Sequence, residues 1–180
     1  MKPAIFRIKQ PFAKLSYKGG MAMRSKGLVL AAIAALMAGC QGPTVPSLEN
    51  LLAAPLKVSI GSRIMTLEPF VYRDFMPGGP AGGSGLIAGC LITAEDGQPY
   101  PFGLDADKVW VIAGDEIWEG DFTEEAGPPS LNRLDQLQKV ARGGPQWQPG
   151  TEIEVVVRLA PVTGARQLLR ATGRKVNAVF

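Results

Sequence analysis

The sequence predicts a mainly β chain: a sandwich of about seven short strands over residues 56–180, with one short helix near 130–142. Three observations carry this. Segments such as 56–60 and 151–160 alternate apolar and polar residues and are rich in β-branched and aromatic side chains, the pattern of a strand buried on one face. Gly- and Pro-rich stretches interrupt those segments at short intervals. The 180 residues suffice for one domain with a real core and some extra.

The extra is at the N-terminus, and the charge marks it. Residues 1–40 carry Lys2, Arg7, Lys9, Lys14, Lys18, Arg24 and Lys26 and no acid, a charge of +7. Residues 41–180 hold 12 basic and 16 acidic side chains, so the body is mildly acidic although the chain is +3. The body has no Lys/Arg stripe, which sets nucleic acid aside. From Met21, "MAMRSKGLVLAAIAALMAGC" places a short basic region before an apolar run, 27–38, and small residues before Cys40, the layout of a signal peptide. The run is too short to span a bilayer, which needs about 20 apolar residues. Leu36-Met37-Ala38-Gly39-Cys40 resembles the lipobox of bacterial lipoproteins. The resemblance implies cleavage between Gly39 and Cys40, with diacylglycerol on the Cys40 thiol and an acyl chain, such as palmitate, on its new N-terminus. It further implies a body anchored by lipid in the cell envelope. Gln41, where an aspartate tends to retain such proteins at the inner membrane, implies the outer membrane facing the periplasm in a double-membrane cell. In a single-membrane cell the outer face of the plasma membrane is implied. Met37 departs from the family's usual leucine. A plain secretory peptide with an Ala-x-Ala-like site is the alternative. A basic stretch ahead of a complete signal peptide is unusual, so translation is expected to start at Met21 or Met23, with a genuinely extended n-region as the alternative.

Residues 40–55 read as the lipidated cysteine and a linker whose three prolines favour extended conformations, with a reach of at most about 45 Å. Leu48, Leu51 and Leu52 offer an alternative, a helical turn docked on the body. Strands follow at 56–60 and 63–75, with Pro69 at a bulge or edge. A Gly-rich loop, 77–85, leads to "GLIAGCLIT", which is apolar on both faces, as in a buried strand. Its "LIAGC" matches the lipobox by letters but lacks the basic region and apolar run before it, so Cys90 belongs to the folded body as inert core. A long loop, 94–107, precedes a hairpin, 108–122, turning at Gly114-Asp115. In 130–144, Leu131, Leu134, Leu137 and Val140 recur every third residue before Gly143-Gly144-Pro145, which favours a helix; a loop entering a strand is the alternative. In 151–160, Ile153, Val155, Val157 and Leu159 share one face. Residues 166–171 and 174–180 close the sheets. These short strands and turns resemble the immunoglobulin-like and fibronectin-type-III-like domains of bacterial surface proteins. The Cys-Trp-Cys signature of antibody domains is absent.

Chemistry is scarce. With no histidine, Ser-His-Asp and Cys-His arrangements and His-ligated metals are excluded, and two cysteines cannot hold zinc. Ser84 lacks the flanking residues of a P-loop or nucleophile elbow. Glu95, Asp96, Asp105 and Asp107 crowd one loop as candidate calcium ligands, without EF-hand spacing. Asp115, Glu116, Glu119, Asp121, Glu124 and Glu125 offer carboxylate pairs of the kind a glycosidase uses, or a solvated edge that discourages aggregation. Tyr100, Phe102 and Trp118 are the candidate partner-binding aromatics, with Tyr100-Pro101-Phe102 the best exposed patch. The expected function is a lipid-anchored envelope protein whose sandwich binds a protein or envelope component, without catalysis or cofactor. The alternatives are a calcium- or small-ligand-binding domain and a carboxylate-based hydrolase.

Overall fold

The computed structural model describes residues 46–123 and 133–180. They form α1 (Leu48–Leu52), then β1 (Lys57–Ile60), β2 (Arg63–Asp74), β3 (Leu86–Ala94), β4 (Leu104–Ala113) and β5 (Glu116–Asp121). β6 (Gln136–Gly144), β7 (Glu152–Pro161), β8 (Gln167–Lys175) and β9 (Asn177–Val179) complete the order. One sheet runs β1-β2-β3-β6, with β9 added to β2; the other runs β5-β4-β7-β8. All pairings are antiparallel except β2 with β9. With β2, β3 and β6 as strands A, B and E, and β4, β7 and β8 as C, F and G, this is the pairing of an immunoglobulin-like sandwich. No strand D occurs among the described residues.

The core lies between the sheets. Met65, Leu67 and Val71 of β2 and Leu86, Ala88, Cys90 and Ile92 of β3 line one inner face. Val109, Val111, Val155, Val157, Leu159, Leu169 and Ala171 line the other. Alternation in β7 holds as expected, with Glu154 and Arg158 on the outer face. Cys90 is wholly buried, and desolvation pushes its thiol up to about 12.

Three expectations need correction. The strands number nine among the described residues, not about seven, because each short segment of the reading forms its own strand and Gln136–Gly144 adds one more. The helix near 130–142 is not formed over its described part. Gln136–Gly144 is a strand paired with β3, and residues 124–132 lie outside the described residues. Spacing by three sets Leu137 and Val140 on opposite faces of a strand, and each finds cover: Leu137 on the core, Val140 beside Thr123, which pairs with it. Tertiary pairing outweighs the weak local preference.

The third correction concerns the linker, where the alternative, a helical turn docked on the body, holds. Residues 46–55 do not stand free. Ser47 caps α1 by accepting from the Asn50 N–H at 3.3 Å, and Leu51 is wholly buried against Trp110, Ile112 and Val156. Those three side chains point outward from β4 and β7, so α1 roofs the outer face of the second sheet and makes a second, smaller core. Arg170 secures the segment: its backbone N–H donates to Pro55 O at 2.9 Å and its Nε to Ala54 O at 3.1 Å.

The Gly-rich loop after β2 is held by Arg73. This arginine is only 2% exposed and has no carboxylate in hydrogen-bond reach among the described residues. It donates instead to four carbonyls, Gly82 (2.5 Å), Ser84 (2.9 Å), Gln146 (3.2 Å) and Trp147 (3.3 Å), and its guanidinium lies 4.9 Å from the centroid of Phe75. Ser84 is structural as well: its Oγ accepts from Asp74 N–H and donates to Gly85 O.

Candidate functional site

The pairing brings four connections to one end of the sandwich. β1–β2, β3–β4, the entry to β6 and β7–β8 all turn there, because Met65 faces Ala94, Gln136 faces Thr93 and Leu104 faces Pro161. Backbone hydrogen bonds lock them together. Glu95 N–H donates to Ile64 O, Tyr100 N–H to Leu134 O and Val162 N–H to Gly103 O, at 2.9, 2.9 and 3.1 Å. Gly103 sits at φ +71, and a Cβ there would lie 2.6 Å from Val162 Cγ2, so glycine is what lets these two loops touch.

Apolar side chains cap this end. Phe102 is fully exposed, Val162 is 78% exposed and Leu134 69%. Tyr100 is turned inward and packs on the core, anchoring the loop whose tip is Phe102. Trp118 is not brought to this cluster. It lies midway along β5, opposite Val111, with its ring against Gly120 and Gly144, where added Cβ atoms would stand 2.9 and 2.7 Å from it. Trp110 is buried under α1 and donates through Nε1 to Glu119 at 3.0 Å.

Around the cap, the four carboxylates each have a cation, although the expected loop 94–107 ends early and Asp105 and Asp107 lie on β4, because Leu104 already pairs with Pro161 of β7. Glu95 meets Lys57, Asp96 meets Arg63 and Asp105 meets Lys139. Asp107 takes two hydrogen bonds from Arg158, at 2.7 and 2.9 Å, and stands 3.4 Å from Arg166. Among the described residues no three carboxylates converge as metal ligands would. Burial presses the Asp107 carboxyl upward, but the Arg158 hydrogen bonds and the charges of Arg158 and Arg166 outweigh it and leave it below the usual range. Asp96 is lowered by the Gln98 N–H and by Arg63, and Asp135 by Arg133. These carboxylates around the cap are therefore already matched by cations.

The acidic hairpin is arranged in the same way. Glu119 and Asp121 share Lys108 at 2.8 Å each, and the Lys108 hydrogen bond lowers Glu119. Glu116 accepts from Trp147 Nε1 at 2.7 Å. A general acid needs a raised carboxyl, and among the described residues the displaced carboxyls are all lowered. Glu124 and Glu125 lie outside the described residues, as do Gly39 and Cys40.

No family model, curated protein or solved structure matches this chain. The site therefore rests on its geometry. Sequence reasoning picked out Phe102 and missed Leu134 and Val162. A lone apolar residue beside a turn carries no signal of its own; only the sheet pairing puts these two beside Phe102.

Proposed function

We propose that this chain is an exported, lipid-anchored envelope protein whose sandwich binds a protein partner through its loop end and performs no catalysis. The observation that carries the reading is Phe102, fully exposed at the tip of a loop tied to its neighbours by hydrogen bonds, with Val162 and Leu134 beside it. Rigid exposed aromatics are the usual anchors of protein interfaces, and ordering them on binding costs little entropy. The lipobox at Cys40 and the absence of histidine support the anchor and the lack of catalysis. Gln41 favours the outer membrane of a double-membrane cell, facing the periplasm.

The docked segment shortens the tether. Because Ser47 caps the docked α1, only residues 41–46 separate it from Cys40, a span of at most about 25 Å. The partner would then be a protein at or in the same membrane.

The full-length tagged protein, crosslinked in its own membranes, is expected to capture one envelope protein in near-equal amount. Phe102→Asp is expected to abolish the capture and leave the melting temperature unchanged. Equal capture by the variant would sink the reading. Cys40→Ala should lose acyl labelling and leave precursor uncleaved, while Cys90→Ala should not; cleavage of the Cys40 variant would remove the anchor.

A further inference from the structure

The end of the sandwich opposite Phe102 differs from it in charge. Three connections meet there: 75–85 between β2 and β3, the Gly114-Asp115 turn between β4 and β5, and 145–151 between β6 and β7. Residues 75–85 and 143–151 carry no charged side chain. Arg73 joins these two loops from beneath. Its guanidinium serves the carbonyls of Gly82 and Ser84 in one and of Gln146 and Trp147 in the other, and it stays 2% exposed. Its charge therefore holds the platform together without showing on it. Gln146 Nε2 also donates to Gly83 O at 3.4 Å, and Phe75 N–H donates to Val179 O at 2.8 Å. Trp147 Nε1 donates to Glu116 at 2.7 Å, which ties the β4–β5 turn to the same end.

Apolar side chains stand on this platform. Phe180 is 85% exposed and Met76 52%. The Phe180 ring stacks on Phe75, with centroids 5.6 Å apart, and Trp147 is half-buried beside the loops it helps to close. Aromatics with an apolar body and a polar end are favoured at membrane surfaces, where one side is apolar and the other wet. The acids bordering the platform have partners of their own. Asp74 accepts from the Met76 N–H at 2.8 Å, Glu116 from Trp147, and Glu152 pairs with Lys175 at 3.6 Å. Asp115 is exposed at the turn.

We infer, resting on the lipid anchor proposed above, that this uncharged platform lies on the bilayer that holds the anchor. Reach decides between the two ends of the sandwich. α1 sits toward the platform, since Leu52 lines one cavity with Ile112 and Gly114 beside the β4–β5 turn. From Ile112 to Leu104, at the other end of β4, is about 26 Å at a strand's rise, and Phe102 is farther still. Residues 41–46 carry the chain at most about 25 Å from Ser47 to Cys40. Bringing Phe102 to the lipid would need that tether drawn out along the sheet. Bringing Met76 and Phe180 there needs little of it. A few side chains suffice, because a tethered body already meets the surface at a high effective concentration. The Phe102 cap then faces away from the membrane, about 30 Å above it.

The test places the processed, lipidated protein in phosphatidylcholine vesicles that contain brominated phosphatidylcholine, a quencher. A fluorophore is attached at Gln148→Cys on the platform or at Gln98→Cys in the Phe102 loop. Both positions are exposed, and Cys90 is buried away from the label. Emission from position 148 is expected to move to shorter wavelength and to be quenched, and emission from position 98 to stay unquenched. Met76→Asp combined with Phe180→Asp is expected to abolish the quenching at 148 while the protein still floats with the vesicles. Equal quenching at the two positions overturns the inference whether or not the double variant folds. So does unchanged quenching in that variant. Quenching at 98 alone overturns it as well, and would turn the Phe102 cap toward lipid. A protein that floats without quenching at 148 overturns this inference and leaves the anchor standing. One that does not float removes both.

Discussion

Replacing Leu51 by alanine tests whether residues 46–55 belong to the body. Leu51 is wholly buried in a cluster with Ala54, Trp110, Ile112 and Val156. Truncating a buried leucine removes its transfer free energy and leaves a cavity, together about 2–5 kcal/mol. The lower end applies here, for two reasons. The cluster is roofed by one short helix that can settle into the gap. The loss is also capped, because once it exceeds the docking energy of the segment the helix detaches and nothing more is lost. We expect about 2–3 kcal/mol, and a fall in melting temperature on the order of 10 °C. Urea denaturation measures the first. Tryptophan fluorescence measures the second consequence: detachment uncovers Trp110, so Leu51→Asp should shift the emission to longer wavelength in native buffer and open 46–55 to proteolysis. A loss below about 1 kcal/mol, with unchanged emission and no new cleavage, would refute the docked segment. In Leu51→Asp the tether would lengthen from six residues to about fifteen, on the order of 45 Å of reach.

Other outcomes follow from the same geometry. Arg73→Met strands four carbonyl acceptors and should cost about 2–4 kcal/mol in urea unfolding, with proteolytic nicking within 77–85; a loss under 1 kcal/mol would mean that water replaces the guanidinium without penalty. Cys90 should resist alkylation in native buffer and react only on unfolding. Because its folded value is about 12 against an ordinary 9.0, the unfolded state ionises first, so its contribution to stability is intact below pH 9 and is lost between pH 9 and 12. Cys90→Ala should flatten that stretch of the stability profile. Asp107 and Glu119 have lowered values, so their contribution is present above the ordinary 3.8 and 4.5 and is lost as pH falls through the folded values. Asp107→Asn should remove part of that acid dependence and cost about 1 kcal/mol at pH 7, the pair being partly exposed; an unchanged acid limb would show that Arg158 does not hold the carboxylate.

Much of the fold is legible residue by residue. The alternation in β7 and the doubly apolar run of β3 name their own faces, because in a strand burial repeats with period two whatever the partner. The absence of histidine and the lipobox letters are likewise local facts. Phe102 could be picked out because an aromatic beside proline in a polar loop has no strand to belong to. The rest was hidden because it depends on what lies across the sheet. Gln136–Gly144 reads as a helix by spacing and is a strand because β3 offers it a full edge. Trp110 and Val156 lie outside the inner-face alternation, and only the docking of α1 makes them core. Which cation each loop carboxylate meets, and that Arg73 would be buried among carbonyls, depend on contacts between residues as much as 74 positions apart. The sequence by itself determined which residues seek burial and on which side of a strand. Tertiary structure alone decided what would cover them, since a hydrophobic period is a property of a segment and a partner is a property of the whole chain.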